Sequence, residues 1–248
     1  MIILSILFLI TAILYSSVGF GGGSTYLALL LIWDIPYYIF PVIALICNII
    51  VVSGSSFNYI KFGNHNFKLL IPFLISSIPF AFLGGTLSIN KEVFELLLFF
   101  VLLITGSLLL INNKSYDDKN IIIKKINFFF SLTIGSILGL ISGIIGIGGG
   151  IFLSPILFLL KAEKPKVIVT TTSLFILINS VSGILGQLTK EYVFNEVVFY
   201  WPLFLAVLFG GLFGNYLNIK IFSNRVLALF TSFLVIFVAI RMAFKIFF

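Results

Sequence analysis

The chain has 248 residues, 60% of them hydrophobic and 9% charged, with a mean hydropathy of +1.25 and a formal net charge of +7. Apolar runs of about 18 residues or more recur along it, which excludes a soluble globular domain. Runs such as Leu96 to Ile104 do not alternate apolar with polar residues, which excludes a transmembrane β-barrel; the basic residues sit in loops, which points to membrane orientation and away from nucleic acid.

In chain order, a first helix over about 2–18 runs into Gly19-Phe20-Gly21-Gly22-Gly23. Four glycines in five residues break a helix, because glycine loses the most backbone freedom on ordering. Residues 1–17 lack a basic leader and an Ala-x-Ala-like cleavage site, so they read as part of the mature fold. A short apolar piece, 24–33, follows the break, then full spans at about 37–59, 68–88 and 92–111. A polar connector over 112–125 leads to a helix over 126–145 and a second break, Gly146-Ile147-Gly148-Gly149-Gly150. A second short piece, 151–160, and spans at 167–188, 196–218 and 225–244 complete the chain. Each short piece of about ten residues reaches roughly 15 Å, half of a hydrocarbon core.

The two parts repeat. Gly19 and Gly146 are 127 apart, Ser53-Gly54 and Ser182-Gly183 are 129 apart, and Pro72 and Pro202, like Gly84 and Gly214, are 130 apart. The expected fold is an all-α polytopic membrane protein with one membrane domain over 1–248: pseudo-repeat 1 at 1–111, connector 112–125, pseudo-repeat 2 at 126–248. Each half then holds a glycine-broken helix, a short re-entrant piece and three spans, about eight transmembrane helices in all. If the short piece turns back, three net crossings per half give inverted repeats; if it continues across, the repeats are parallel. Loop charge favours the first arrangement. It gathers Lys61, Lys68, Lys114, Lys119, Lys124, Lys125, Lys161, Lys164, Lys166, Lys220 and Arg225 on one face, against Lys91, Lys190, Arg241 and Lys245 on the other.

A broken helix inside a bilayer survives only where protein or a water-filled cavity covers its backbone. Paired breaks in matching positions point to a central binding site. The helix that restarts after each break presents unpaired N–H groups and a partial positive charge. Two such ends near the midplane make an anion site without any lysine or arginine. The candidate substrate-binding residues are Gly21, Gly22, Gly23, Ser24 and Thr25 at the first break and Gly148, Gly149, Gly150 and Ile151 at the second, with Asn48 and Asn179 as neutral polar groups in the next spans. The bland alternatives are tight helix packing for the glycines and interhelical hydrogen bonding for the asparagines. Gly135, Gly139 and Gly143, like Gly210 and Gly214, read as packing positions. Serines and threonines of these spans are commonly satisfied by their own helix backbone. Cys47 is the sole cysteine and His65 the sole histidine, so no disulfide, metal site or cofactor is expected.

Asp34, Glu92, Glu95, Glu191 and Glu196 lie near span ends, leaving no buried carboxylate for a proton relay. Export of an anion from an inside-negative cell needs none. The potential supplies about 2.3 kcal/mol per charge per 100 mV, roughly a fiftyfold gradient.

With Ser142-Gly143-Ile144-Ile145 before the second motif and Ser154-Pro155 after it, the chain resembles the sulfite exporter TauE/SafE family of membrane permeases over essentially its whole length. The first motif departs from the family pattern at Ser24-Thr25-Tyr26. The resemblance implies a multi-pass inner-membrane transporter of sulfite, sulfonates or related organosulfur anions.

The expected function is therefore a secondary transporter, an exporter by preference, of small anions. Its partners are the solute and the lipid bilayer, with no nucleic acid and with a homodimer left open. A passive anion channel and a structural or assembly subunit of a membrane complex remain as alternatives. An intramembrane enzyme would need a nucleophile with a base, or a metal cluster. The chain offers neither in its spans.

Overall fold

The computed structural model describes residues 1–17, 19–61, 63–111, 123–190, 193 and 196–216, with 232–233, 236–237, 239–240 and 242–244. More than half of the expected last span, 225–244, and most of the connector 112–125 lie outside the described residues. Helices α1 (Ile2–Ser16) and α2 (Gly23–Ile32) flank the first glycine motif, and α3 (Phe40–Lys61), α4 (Phe67–Thr86) and α5 (Lys91–Ile111) follow. Helices α6 (Phe128–Ile145) and α7 (Gly150–Leu159) flank the second motif, followed by α8 (Pro165–Gln187) and α9 (Trp201–Tyr216). Among the described residues there is no strand. Five segments there are long and apolar enough to cross a membrane: Tyr37–Lys61, Phe67–Thr86, Phe128–Ile145, Pro165–Gln187 and Val198–Tyr216.

These helices are apolar on every side, as elements between a core and lipid must be. Helix α1 buries Leu4, Phe8, Ala12 and Tyr15 at helical spacing and turns Ile2, Ile3, Ile6 and Ile10 outward. Helices α3 and α8 form the centre: 72% of the apolar window of each is buried, against 33–39% in the segments carrying α4, α6 and α9. They run antiparallel. The hydroxyls of Ser55 and Ser56 lie 3.4 and 2.9 Å from that of Ser173, whereas Leu45, earlier in α3, meets Gly183, later in α8.

Around this centre, helices from early in the chain pair with helices from late in it. Helix α6 lies along α4 with Gly135, Gly139 and Gly143 against the backbone oxygens of Phe73, Ser77 and Ala81. Helix α9 lies along α1 with Gly210 and Gly214 against those of Leu9 and Ile13. Both pairs run parallel, and small residues let the backbones approach. The two pairings correspond at one contact: Gly84 meets the Leu140 oxygen as Gly214 meets that of Ile13, positions separated by 130 and 127.

Both short helices end alike. Asp34 and Lys161, also 127 apart, each take φ 51. The following N–H then reaches five residues back, Ile35 to Leu30 at 3.2 Å and Ala162 to Leu157 at 3.0 Å, the longer of the two bonds of a Schellman closure. Contacts between loops sort the chain ends of the helices. Lys124 N–H donates to the Lys161 carbonyl at 3.0 Å, and the Asn66 amide donates to Glu163 at 3.2 Å. At the other ends of α3, α4 and α8, the Lys190 ammonium donates to the Leu87 carbonyl at 2.6 Å and the Tyr38 hydroxyl to Glu196.

Candidate functional site: paired glycine breaks around Asn48

Helix α1 stops at Ser16 and α6 at Ile145, the latter capped by Gly146 with its N–H on the Ser142 carbonyl at 2.8 Å. The chain then turns through left-handed backbone. Gly22 (φ 82) caps α2 and Gly149 (φ 74) caps α7, a conformation that costs any residue with a Cβ roughly 1–2 kcal/mol. The caps work identically. The Gly22 carbonyl accepts the N–H groups of Thr25 and Tyr26, both at 3.0 Å. The Gly149 carbonyl accepts those of Phe152 and Leu153 at 3.2 and 3.1 Å. The first-turn N–H groups of Gly23 and Ser24, and of Gly150 and Ile151, have no carbonyl within their own helix to bond.

The first restart touches the second break. A methyl placed on Gly23 would lie 2.7 Å from the Ile147 carbonyl oxygen and 2.9 Å from the Asn48 amide nitrogen. Asn48, from α3, sits between the breaks. Its carboxamide would be met by a methyl on Gly21 (2.5 Å, at Oδ1) and by one on Gly148 (2.8 Å, at Nδ2). Nδ2 donates to the Gly146 carbonyl at 3.4 Å, while the fully buried Oδ1 has no partner among the described residues. A buried acceptor left unpaired costs about 1–3 kcal/mol.

The predicted residues divide as follows. Gly21, Gly22, Gly23, Ser24, Thr25, Gly148, Gly149 and Gly150 are buried at the junction, and Ile151 is half-buried in the first turn of α7. Thr25 is occupied, sharing a 2.8 Å hydrogen bond with the Tyr15 hydroxyl. The Ser24 hydroxyl is buried without a partner among the described residues. Asn48 joins both breaks. Asn179 is fully buried but donates to the Phe175 carbonyl of its own helix at 2.9 Å, leaving its oxygen unpaired among the described residues. Its neighbour Ser180 approaches Gly148, where a methyl would lie 3.4 Å from the hydroxyl. Other hydroxyls of these spans bond back to their helices as expected: Ser53 to Ile50, Thr170 to Lys166 and Thr172 to Ile168.

Sequence reasoning overlooked three neighbours. Ile176 packs against Gly148 and Gly150, Tyr15 against Gly22, and the Tyr59 ring against Gly19. Helical spacing was the available signal, since Ile176 precedes Ser180 by one turn and Tyr15 precedes Gly19 by one turn. Outside the spans, burial lowers the pKa of Lys190, which donates to the Leu87 carbonyl and, at 3.1 Å, to the Gln187 side-chain oxygen.

A family described as "Sulfite exporter TauE/SafE" matches residues 4–242. The chain belongs to that family. Its TauE/SafE relatives include "Probable membrane transporter protein y4hK" of Sinorhizobium fredii, 25% identical with 89% of each chain covered. "Probable membrane transporter protein YunE" of Bacillus subtilis is 27% identical, covering 89% of this chain and 88% of its own. "Probable membrane transporter protein MJ0441" of Methanocaldococcus jannaschii is 29% identical, covering 86% and 82%. No solved structure matches. The TauE/SafE chain is thus a multi-pass membrane transporter, in keeping with its apolar helices.

Proposed function

We propose that this TauE/SafE member is a secondary transporter of the inner membrane that exports small anions, by family resemblance sulfite, sulfonates or related organosulfur compounds. The anion is held between the N-termini of α2 and α7. The observation that carries this reading is the contact of the α2 start with the second break, through Gly23, Ile147 and Asn48. It brings the positive end of α2 against the break from which α7 restarts, beside one fully buried carboxamide. A low-dielectric surrounding strengthens each such interaction and leaves no room for an uncompensated lysine or arginine.

The architecture proposed with it is two inverted repeats of about eight membrane elements. Three observations support it: the antiparallel crossing of α3 and α8, the return of Lys161 to Lys124 across the α6–α7 segment, and the Asn66–Glu163 bond on that same face. A segment that crossed the membrane once would hold residues 124 and 161 on opposite faces.

The test is flux in proteoliposomes of the full chain with sulfite, methanesulfonate, sulfate and chloride, with and without a potential. Saturable movement of sulfite or methanesulfonate, accelerated by a potential that expels anions, is expected. Flux linear in concentration would make the protein a channel. Flux of none of the four would remove the anion reading.

A further inference from the structure

The anion site contains an acceptor where only donors are expected. The Asn48 carboxamide is fully buried and lies at the start of α2, against Gly21 and Gly23. Its orientation is set by Gly146, whose carbonyl oxygen takes the amide N–H and would repel the amide oxygen. Oδ1 therefore faces the first break unpaired among the described residues. Asn179, 131 positions later, likewise has a fully buried oxygen, and neither it nor the adjacent Ser180 hydroxyl beside Gly148 has a partner among the described residues. A carboxamide oxygen only accepts, so a fully deprotonated oxyanion brings nothing that satisfies it. A bare cation would satisfy it, but would stand against the positive end of α2.

We infer that the site selects singly charged oxyanions that keep a proton, whose O–H donates to Asn48 Oδ1 while the charged oxygens take the N–H groups of α2 and α7. This rests on the anion reading above and narrows it. Hydrogen sulfite fits. The sulfite dianion carries one more charge and no donor, and methanesulfonate carries one charge and no donor. The selection is the kind that polar sites perform well, because the wrong ligand leaves a buried group unpaired. The titratable groups on the helices packed around Asn48 are Tyr15, Tyr26, Tyr59 and Cys47, with Lys61 as the last residue of α3 and Lys166 in the first turn of α8. None is a carboxylate or imidazole, so a pH profile near neutrality reads the substrate.

The experiment measures initial flux of total sulfite in proteoliposomes across its second pKa, in sodium and in N-methylglucamine buffers. Selenite, whose second pKa is higher, is run in parallel. Flux should fall about tenfold per pH unit above each substrate's own pKa, so that the selenite profile lies at higher pH, with no sodium requirement. Methanesulfonate should move at least about tenfold more slowly than hydrogen sulfite, and Asn48→Leu should erase that preference. The wild-type profiles stand whether or not this variant folds. Equal transport of both protonation states, coincident sulfite and selenite profiles, or a sodium requirement would each overturn the inference while leaving an anion transporter. Absence of flux for every anion would overturn the anion reading itself, and this inference with it.

Discussion

Replacing Gly23 by alanine probes the junction with one methyl group. Gly23 is the first residue of α2 and is not among the glycines of positive φ, so alanine meets no backbone penalty there. The added carbon would stand 2.7 Å from the Ile147 carbonyl oxygen, about 0.6 Å inside an ordinary carbon–oxygen approach of about 3.3 Å. It would also stand 2.9 Å from the Asn48 amide nitrogen. Backbone has no flexible tip to yield, so the two breaks must part. Overpacking of this kind costs about 1–3 kcal/mol. A shift of about 1 Å at a reacting or binding geometry costs on the order of a hundredfold. Gly23→Ala should therefore reduce anion flux by about ten- to a hundredfold while the protein still inserts and elutes as the wild type. Gly63→Ala is the control. Gly63 has φ 71 with nothing within 4 Å of an added methyl, so it should lose roughly 1–2 kcal/mol of stability and keep its flux. Flux in proteoliposomes and Tm in detergent are measured together. Wild-type flux from correctly inserted Gly23→Ala protein would refute the claim that the paired helix starts form the site.

Two further perturbations address the scaffold. Gly139→Val and Gly214→Val each drive a side chain into backbone, of Ser77 and Ile13 respectively. Each should lower stability by more than about 3 kcal/mol, seen as a fall in Tm or loss of the folded elution peak; a tolerated valine at either site would show that the helix crossings are looser than drawn. Single cysteines at Asn66 and Glu163, in a Cys47→Ala background, should react with an impermeant maleimide from one side of the membrane only. One at Asn90 should react from the other side, and labelling of 66 and 163 from opposite sides would overturn the inverted arrangement.

The all-helical, membrane-spanning character of the fold and its two interrupted helices are legible in the sequence. The glycine motifs announced the two breaks because packing seldom needs three adjacent glycines. The landmark offsets of 127 to 130 relate positions that make similar contacts, Gly84 with Leu140 and Gly214 with Ile13. Gly135, Gly139 and Gly143 read correctly as packing positions because a four-residue spacing keeps one helix face. What the chain hides is which helix receives that face. Nothing local to α6 says that it lies on α4 of the other half. Periodicity equally could not tell that Asn48 would bridge both breaks while Asn179 bonds to its own helix. That distinction depends on a few ångströms of placement between α3 and α8. Ile176 escaped notice because an isoleucine in an apolar span carries no chemical signal of its own.

The pairing of early helices with late ones has a consequence for how the protein is made. A chain emerging from the ribosome delivers α1 first, yet the helix that lies along its Leu9 and Ile13 backbone is α9, which begins at Trp201. Most of the polypeptide must be synthesised before that berth exists, so until then α1 has only nearby segments such as α2, through Tyr26 and Thr25, to pack against. Neither half can close its own core in isolation. Two such halves expressed as separate polypeptides would have to find each other before either became a folded protein.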